Sequence, residues 1–155
     1  MTAEGGGSRW DGRRRARETA LRVLYQSEIG GQALPDALRI HGLIGDADAI
    51  DRGGEAREYA DRLATGVTQN QAALDAYIRE AALNWRLERL AVIDRIVLRL
   101  GIHELLAEPG TPPRVVIDES IELAKLYSGD EAARFVNGVL DAVFKTLKDQ
   151  GKVIG

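Results

Sequence analysis

Residues 85–107 read WRLERLAVIDRIVLRLGIHELLA. Within them Ile93, Ile96, Val97 and Leu100 form one helical stripe and Leu98, Ile102 and Leu105 another. A helix from Trp85 to Ala107 is therefore apolar on most of its sides. Such a helix cannot lie on a surface and belongs in the middle, with other helices around it. Glu104 projects from the first stripe. A buried carboxylate needs a cation, so Glu104 is read as structural and paired with an arginine.

Outward from this segment the chain continues to read as helices. Tyr59, Leu63, Val67, Asn70, Leu74 and Ile78 keep the i, i+4, i+7 rhythm, which predicts one long helix after the Gly53-Gly54 break. Pro109-Gly110-Thr111-Pro112-Pro113 is a loop, and Val115 to Tyr127 a helix with Asp118, Glu119 and Glu122 toward its positive end. Ser128 and Glu131 have capping-box spacing ahead of a last helix, whose stripe is Val136, Val139, Leu140, Val143 and Leu147 and which Gly151 ends. Toward the N-terminus, Ala16, Ala20, Val23, Leu24 and Ser27 repeat at helical spacing until Gly30-Gly31. Leu34-Pro35-Asp36 then opens a weak helix over Leu38 to Ile44. No alternating pattern of useful length suggests a strand. The expected fold is all-α, six to seven helices in two packed sub-bundles: a flexible leader over 1–12, one helical domain over 13–150 and a tail over 151–155.

The 155 residues, 45% of them apolar, suffice for one domain with a core. Cysteine is absent, which removes disulfides, thiolate metal sites and cysteine nucleophiles together. The first residues lack the apolar stretch of a signal peptide, and no window approaches the roughly 18 apolar residues of a membrane span, so a cytoplasmic location is expected. The formal charge of −3 is unevenly spread. Residues 1–22 hold six arginines against Glu4, Asp11 and Glu18, a net of +3, while the remainder holds 15 basic and 21 acidic residues, a net of −6. A basic head on an acidic body marks the first helix as the place for an anionic partner.

On that helix, at about 100° per residue from Arg13, the apolar residues centre near roughly 320° while Arg14, Arg15, Arg22 and Tyr25 fall between roughly 100° and 200°. Phosphate-binding guanidiniums beside a flat ring suit a single-stranded nucleic acid. Alternatively the arginines form a solvated face and Tyr25 covers the other sub-bundle. In the last helix Gly138 lies opposite the apolar stripe, where glycine costs about 1 kcal/mol of helix stability. Either a partner approaches its backbone, with Arg134, Phe135 and Asn137 bordering the contact, or it admits a neighbouring helix. Asp118 and Glu122 share a face without a nearby histidine, and His41 and His103 lack ligand spacing. No catalytic residue, metal site or cofactor is expected.

Three blocks resemble the NusB family of bacterial transcription antitermination factors: Arg13-Arg14-Arg15-Ala16-Arg17-Glu18 continuing to Leu24-Tyr25; Leu90 through Asp94-Arg95, Leu98-Arg99 and Glu104-Leu105; and Ile117 to Lys125 with Phe135-Val136-Asn137-Gly138-Val139-Leu140. The resemblance implies two helical bundles that bind the single-stranded boxA element of ribosomal RNA transcripts. It implies NusE, a small-subunit ribosomal protein, as partner, and action with other Nus factors on the elongating RNA polymerase to resist termination. It brings Arg13, Arg14, Arg15, Arg17 and Tyr25 to the RNA site, with Glu131, Arg134 and Phe135 as a second contact region; Arg22 joins them by its place on the wheel. Glu88 and Asp94 are the candidate NusE contacts. NusB-like domains also precede RNA cytosine methyltransferases, but the length and the absence of cysteine argue against that activity here. The other alternative is a helical protein-binding adaptor without RNA contact.

Overall fold

The computed structural model describes residues 2–40 and 54–153, with side chains from Gly12 onward. The expected helical residues beyond Ile40, together with His41 and the side chain of Trp10, lie outside the described residues. Among those described there are seven α-helices, one 3-10 turn and no strand. They are α1 (Thr2–Gly30), α2 (Leu34–Ile40), α3 (Glu55–Gln69), α4 (Gln71–Ala81), the 3-10 turn Leu87–Arg89, α5 (Val92–Ala107), α6 (Pro113–Ser128) and α7 (Asp130–Asp149). The chain divides into two compact units, Met1–Thr68 and Gln69–Gly155. No described helix is long and apolar enough to cross a membrane.

In the first unit α1 buries Ala16, Ala20, Val23 and Leu24, the face expected from its periodicity, and adds Leu21. It starts at Thr2, well before the start expected near Arg13. Once a helical nucleus exists, each added residue closes one more hydrogen bond, and the run of glycines does not stop that propagation. Gly31, at φ 72°, ends the helix in a conformation that residues with a Cβ rarely adopt. Ser27 Oγ donates to the Gln32 carbonyl at 2.7 Å and fixes the exit toward α2, which packs on α1.

The second unit is built around α5. Every residue from Ile96 to Leu105 is buried, as the apolar reading of this segment requires. Helices α4, α6 and α7 surround it. Gly101 allows the close approach: a Cβ there would stand 2.8 Å from Ser120 Oγ of α6 and 3.2 Å from Leu140 Cδ1 of α7. Burial of α5 takes charge inside with it. Arg99 donates to Asp75 of α4 through Nε at 2.7 Å and Nη2 at 3.1 Å, a bidentate pair in a nearly water-free place. Glu104 is buried as expected, at 1% exposure.

Three further expected boundaries differ. The single helix over residues 55–81 is two, because Asn70 has φ −113° and ψ 17° and α4 restarts from its carbonyl, which accepts from Leu74 N–H at 3.0 Å. Asparagine between two glutamines favours such a break, since its amide competes with the backbone for hydrogen bonds. The central helix begins at Val92 and not at Trp85, because Arg86, Leu90 and Ala91 are extended and only Leu87 of the turn is buried. Finally, Ser128 is the last residue of α6 and makes no capping box; Gly129, at φ 103°, is the N-cap of α7 without a side-chain bond. Its N–H closes α6 on the Ala124 and Lys125 carbonyls, and its own carbonyl accepts from Ala133. One left-handed residue both ends a helix and starts the next, leaving the serine nothing to cap.

Two stability measurements check this packing. Asp75→Ala removes the bidentate partner of a buried arginine and should cost about 3–5 kcal/mol, read as a lower urea midpoint. Burial pushes His103 below its ordinary pKa, with Glu108 and Glu104 pulling weakly the other way. The unfolded chain, whose histidine titrates near about 6.5, then binds the proton more readily than the native state. Stability should therefore hold above that value and fall as the pH drops through it toward 5, and His103→Gln should flatten the decline.

Candidate nucleic-acid interface

The two groups of candidate residues lie in different units. In the first, burial of one side of α1 turns Arg14, Arg15, Arg22 and Tyr25 outward. Tyr25 keeps 40% of its surface exposed, as does Ile29 one turn later at 55%, while Leu21, Val23 and Leu24 between the arginines and the ring are buried. Arg22 stands 3.6 Å from Glu18 one turn earlier, an exposed pair of little energetic weight that a phosphate can replace. The exposed face foreseen from the helical wheel is present, with Tyr25 outward alongside Arg14, Arg15 and Arg22.

Arg13 and Arg17, which only the resemblance added to the site, are elsewhere. Both are buried, at 9% and 4% exposure. Their guanidiniums lie over the ring of Tyr59 on α3, 4.7 Å and 6.0 Å from its centroid, and Arg62 approaches the same ring at 5.1 Å. Tyr59 is itself buried. The ring quadrupole attracts cations that have lost part of their water, so these arginines fasten α1 to α3 and thereby set which way the exposed arginines face. On the wheel Arg13 lies only about 40° from the centre of the apolar face and Arg17 about 80°. That offset is the signal in the sequence that sets them apart from Arg14, Arg15 and Arg22.

In the second unit Glu131 and Arg134 are exposed on the first turns of α7, and Phe135 is half-buried. A cleft of about 360 Å³ runs beside them, lined by Glu131, Phe135, Asp94 and Trp85 among others. The residues chosen for RNA and the one chosen for a protein partner thus border one depression. Asp94 is half-buried there, and its Oδ1 has no hydrogen-bond partner among the described residues. Glu88 is exposed and accepts from Arg79 at 3.3 Å; its own backbone N–H and then that guanidinium hold its carboxyl below the usual carboxylate range. Gly138 is exposed and no other described element lies within 4 Å of where its Cβ would be. It does not admit a neighbouring helix among the described residues.

Trp85 was missed as a surface residue, because the apolar pattern placed it in the central helix. It is 61% exposed and meets Phe135 edge to face, with ring centroids 5.5 Å apart at 66°. No group of three or more His, Cys, Asp or Glu able to hold a metal occurs among the described residues.

Comparison with known proteins gives a consistent result. The profile of the NusB family matches residues 14–145. The transcription antitermination protein NusB of Sorangium cellulosum is 44% identical over 131 residues, which span 84% of this chain and 90% of that protein. The solved NusB of T. maritima superposes with a TM-score of 0.75 at 37% identity, covering 86% of this chain and 90% of its own. A crystal structure of the antitermination factors NusB and NusE in complex with dsRNA superposes with a TM-score of 0.77 at 30% identity, covering 87% of this chain and 97% of that one.

The division of labour on α1 is open to measurement by denaturant unfolding. Tyr59→Ala removes the buried ring that gathers three guanidiniums and should cost about 3–5 kcal/mol. Arg14→Ala and Tyr25→Ala should stay within about 0.5 kcal/mol of the parent, as exposed positions do.

Proposed function

The chain belongs to the NusB family, and on that premise we propose that it binds single-stranded boxA-type RNA of ribosomal RNA operon transcripts together with NusE, and so supports processive ribosomal RNA transcription. The observation that carries this reading is the outward face of α1, where Arg14, Arg15 and Arg22 flank an exposed Tyr25. Among the described residues of the first unit, nothing in the packing asks for an aromatic residue at that place. Guanidiniums supply the sequence-independent attraction to phosphate, and the ring supplies a platform for an unstacked base. Arg13 and Arg17 act by holding this face in position through Tyr59. Glu131, Arg134 and Phe135 form the second RNA-contacting group, and the exposed Gly138 backbone beside them leaves room for a close approach.

NusE and the elongating RNA polymerase with the other Nus factors are the proposed partners, in the cytoplasm. Support comes from the solved complex of a 30% identical NusB with NusE and double-stranded RNA. Glu88 and Asp94 are the proposed NusE contacts: both are acidic, and the proposed partner, a ribosomal protein, is taken to be basic. Joining RNA and NusE on one chain makes their contacts additive, so RNA should bind the heterodimer more tightly than the isolated chain.

RNA affinity measured by fluorescence anisotropy at several salt concentrations tests the reading. Three phosphate contacts should make log affinity fall against log salt with a slope near roughly −2. Arg14→Ala should lower both affinity and slope. Tyr25→Ala should cost about 1–3 kcal/mol of binding while leaving the slope unchanged, because the ring carries no charge. Normal RNA binding by both variants would remove this face from the RNA site, and a parent chain that binds NusE but no RNA would favour the protein-binding adaptor instead.

A further inference from the structure

We infer that Trp85 is a further RNA-contacting residue, whose indole stacks an unpaired base while Arg89 neutralises a neighbouring phosphate. This rests on the RNA-binding reading above and extends it to a residue that neither periodicity nor resemblance assigned.

Trp85 is held at its backbone and at its ring. Its backbone N–H donates to the Ala82 carbonyl at 3.1 Å, and just beyond it the backbone N–H of Arg89 donates to Arg86 and that of Leu90 to Leu87, closing the 3-10 turn. Leu87 anchors that turn in the core. The backbone carrying the tryptophan is therefore set before any ligand arrives. Phe135 touches the ring at 66°, an edge-to-face contact that fixes its tilt and still leaves 61% of the residue exposed. A large ring fixed in place and left in water is a stacking platform whose ordering cost is already met.

Two depressions adjoin the ring. Toward α7 lies the cleft of about 360 Å³ bordered by Phe135 and Glu131, two residues of the proposed RNA site. That volume is at the small end of the range of about 300–1,000 Å³ for ligand pockets, which suits one flat base better than an inserted helix. A second, open depression of about 470 Å³ is lined by Arg79, Arg86 and Arg89 together with Glu88. Arg79 is engaged by Glu88, whereas Arg86 and Arg89 are exposed and make no ion pair with a described residue. A base-sized cleft and exposed guanidiniums adjoining one ring, with Arg89 at both, is an arrangement that suits a single strand passing over Trp85.

The experiment uses the full chain and a short, unstructured, end-labelled RNA carrying the boxA element. The sequence holds two tryptophans, so Trp10→Phe leaves Trp85 as the sole emitter. Saturating RNA should quench its fluorescence. Trp85→Ala should bind the RNA about 5- to 100-fold more weakly by anisotropy, Trp85→Phe should restore most of that loss, and Arg89→Ala should reduce the salt slope by about 0.7. Unmoved Trp85 fluorescence at saturation overturns the inference, and so does parent-like RNA binding by Trp85→Ala. If that variant binds RNA normally but loses NusE, the tryptophan is a protein contact. If Trp85→Ala melts early, the fluorescence of the Trp10→Phe chain decides alone. A parent chain that fails to bind RNA at low salt removes the underlying reading, a result distinct from the others.

Discussion

The second unit depends on the burial of α5 from every direction. Ten consecutive residues, Ile96 to Leu105, are shielded from water, and three of them are Arg99, His103 and Glu104. A helix in that position must find apolar neighbours all round and partners for its charges at the same time. Asp75 on α4 meets the second demand for Arg99 with two short hydrogen bonds. Gly101 meets a steric one by letting α6 and α7 close in where any side chain would collide. With α5 fixed, its N-terminal end carries Asp94 into the cleft, and the turn before it carries Trp85 to the surface. The candidate surface of this unit is thus a consequence of where the central helix has to start.

The first unit solves a smaller version of the same problem with cations in place of an ion pair. Tyr59 gathers Arg13, Arg17 and Arg62 around one ring. Part of an arginine-rich segment is thereby used internally, and the rest is left for solvent. The rotational setting of α1 follows, and with it the exposure of Arg14, Arg15, Arg22 and Tyr25. Neighbouring arginines of one run thus divide between a buried ring and the surface according to their angle around the helix axis.

Seen together, the two units carry similar chemistry on different scaffolds. One offers a tyrosine among exposed arginines, and the other a tryptophan and a phenylalanine beside Arg86 and Arg89. The acidic residues Glu88, Asp94 and Glu131 lie among the second group. Aromatic platforms with flanking guanidiniums read single strands without strong sequence demands. Carboxylates among them repel a phosphate that strays from its track, or attract a basic protein.

The sequence by itself determined the helical class, the central place of the segment ending at Ala107, the buried face of α1 and the outward set of Arg14, Arg15, Arg22 and Tyr25. These follow from periodicity, because a strictly repeating burial pattern admits only one helix orientation. The three sequence blocks determined the family as well. Tertiary structure alone decided what periodicity leaves degenerate. An unbroken rhythm from Tyr59 to Ile78 does not reveal that Asn70 interrupts the helix, since both halves keep their apolar faces. Apolar residues from Trp85 to Leu90 fit a helix as well as a turn, and only the extended backbone at Arg86, Leu90 and Ala91 puts Leu87 inside and Trp85 outside. Nor does an arginine's identity say whether it meets solvent or a ring: Arg13 and Arg14 are neighbours in sequence, and the position of Tyr59 on another helix separates them.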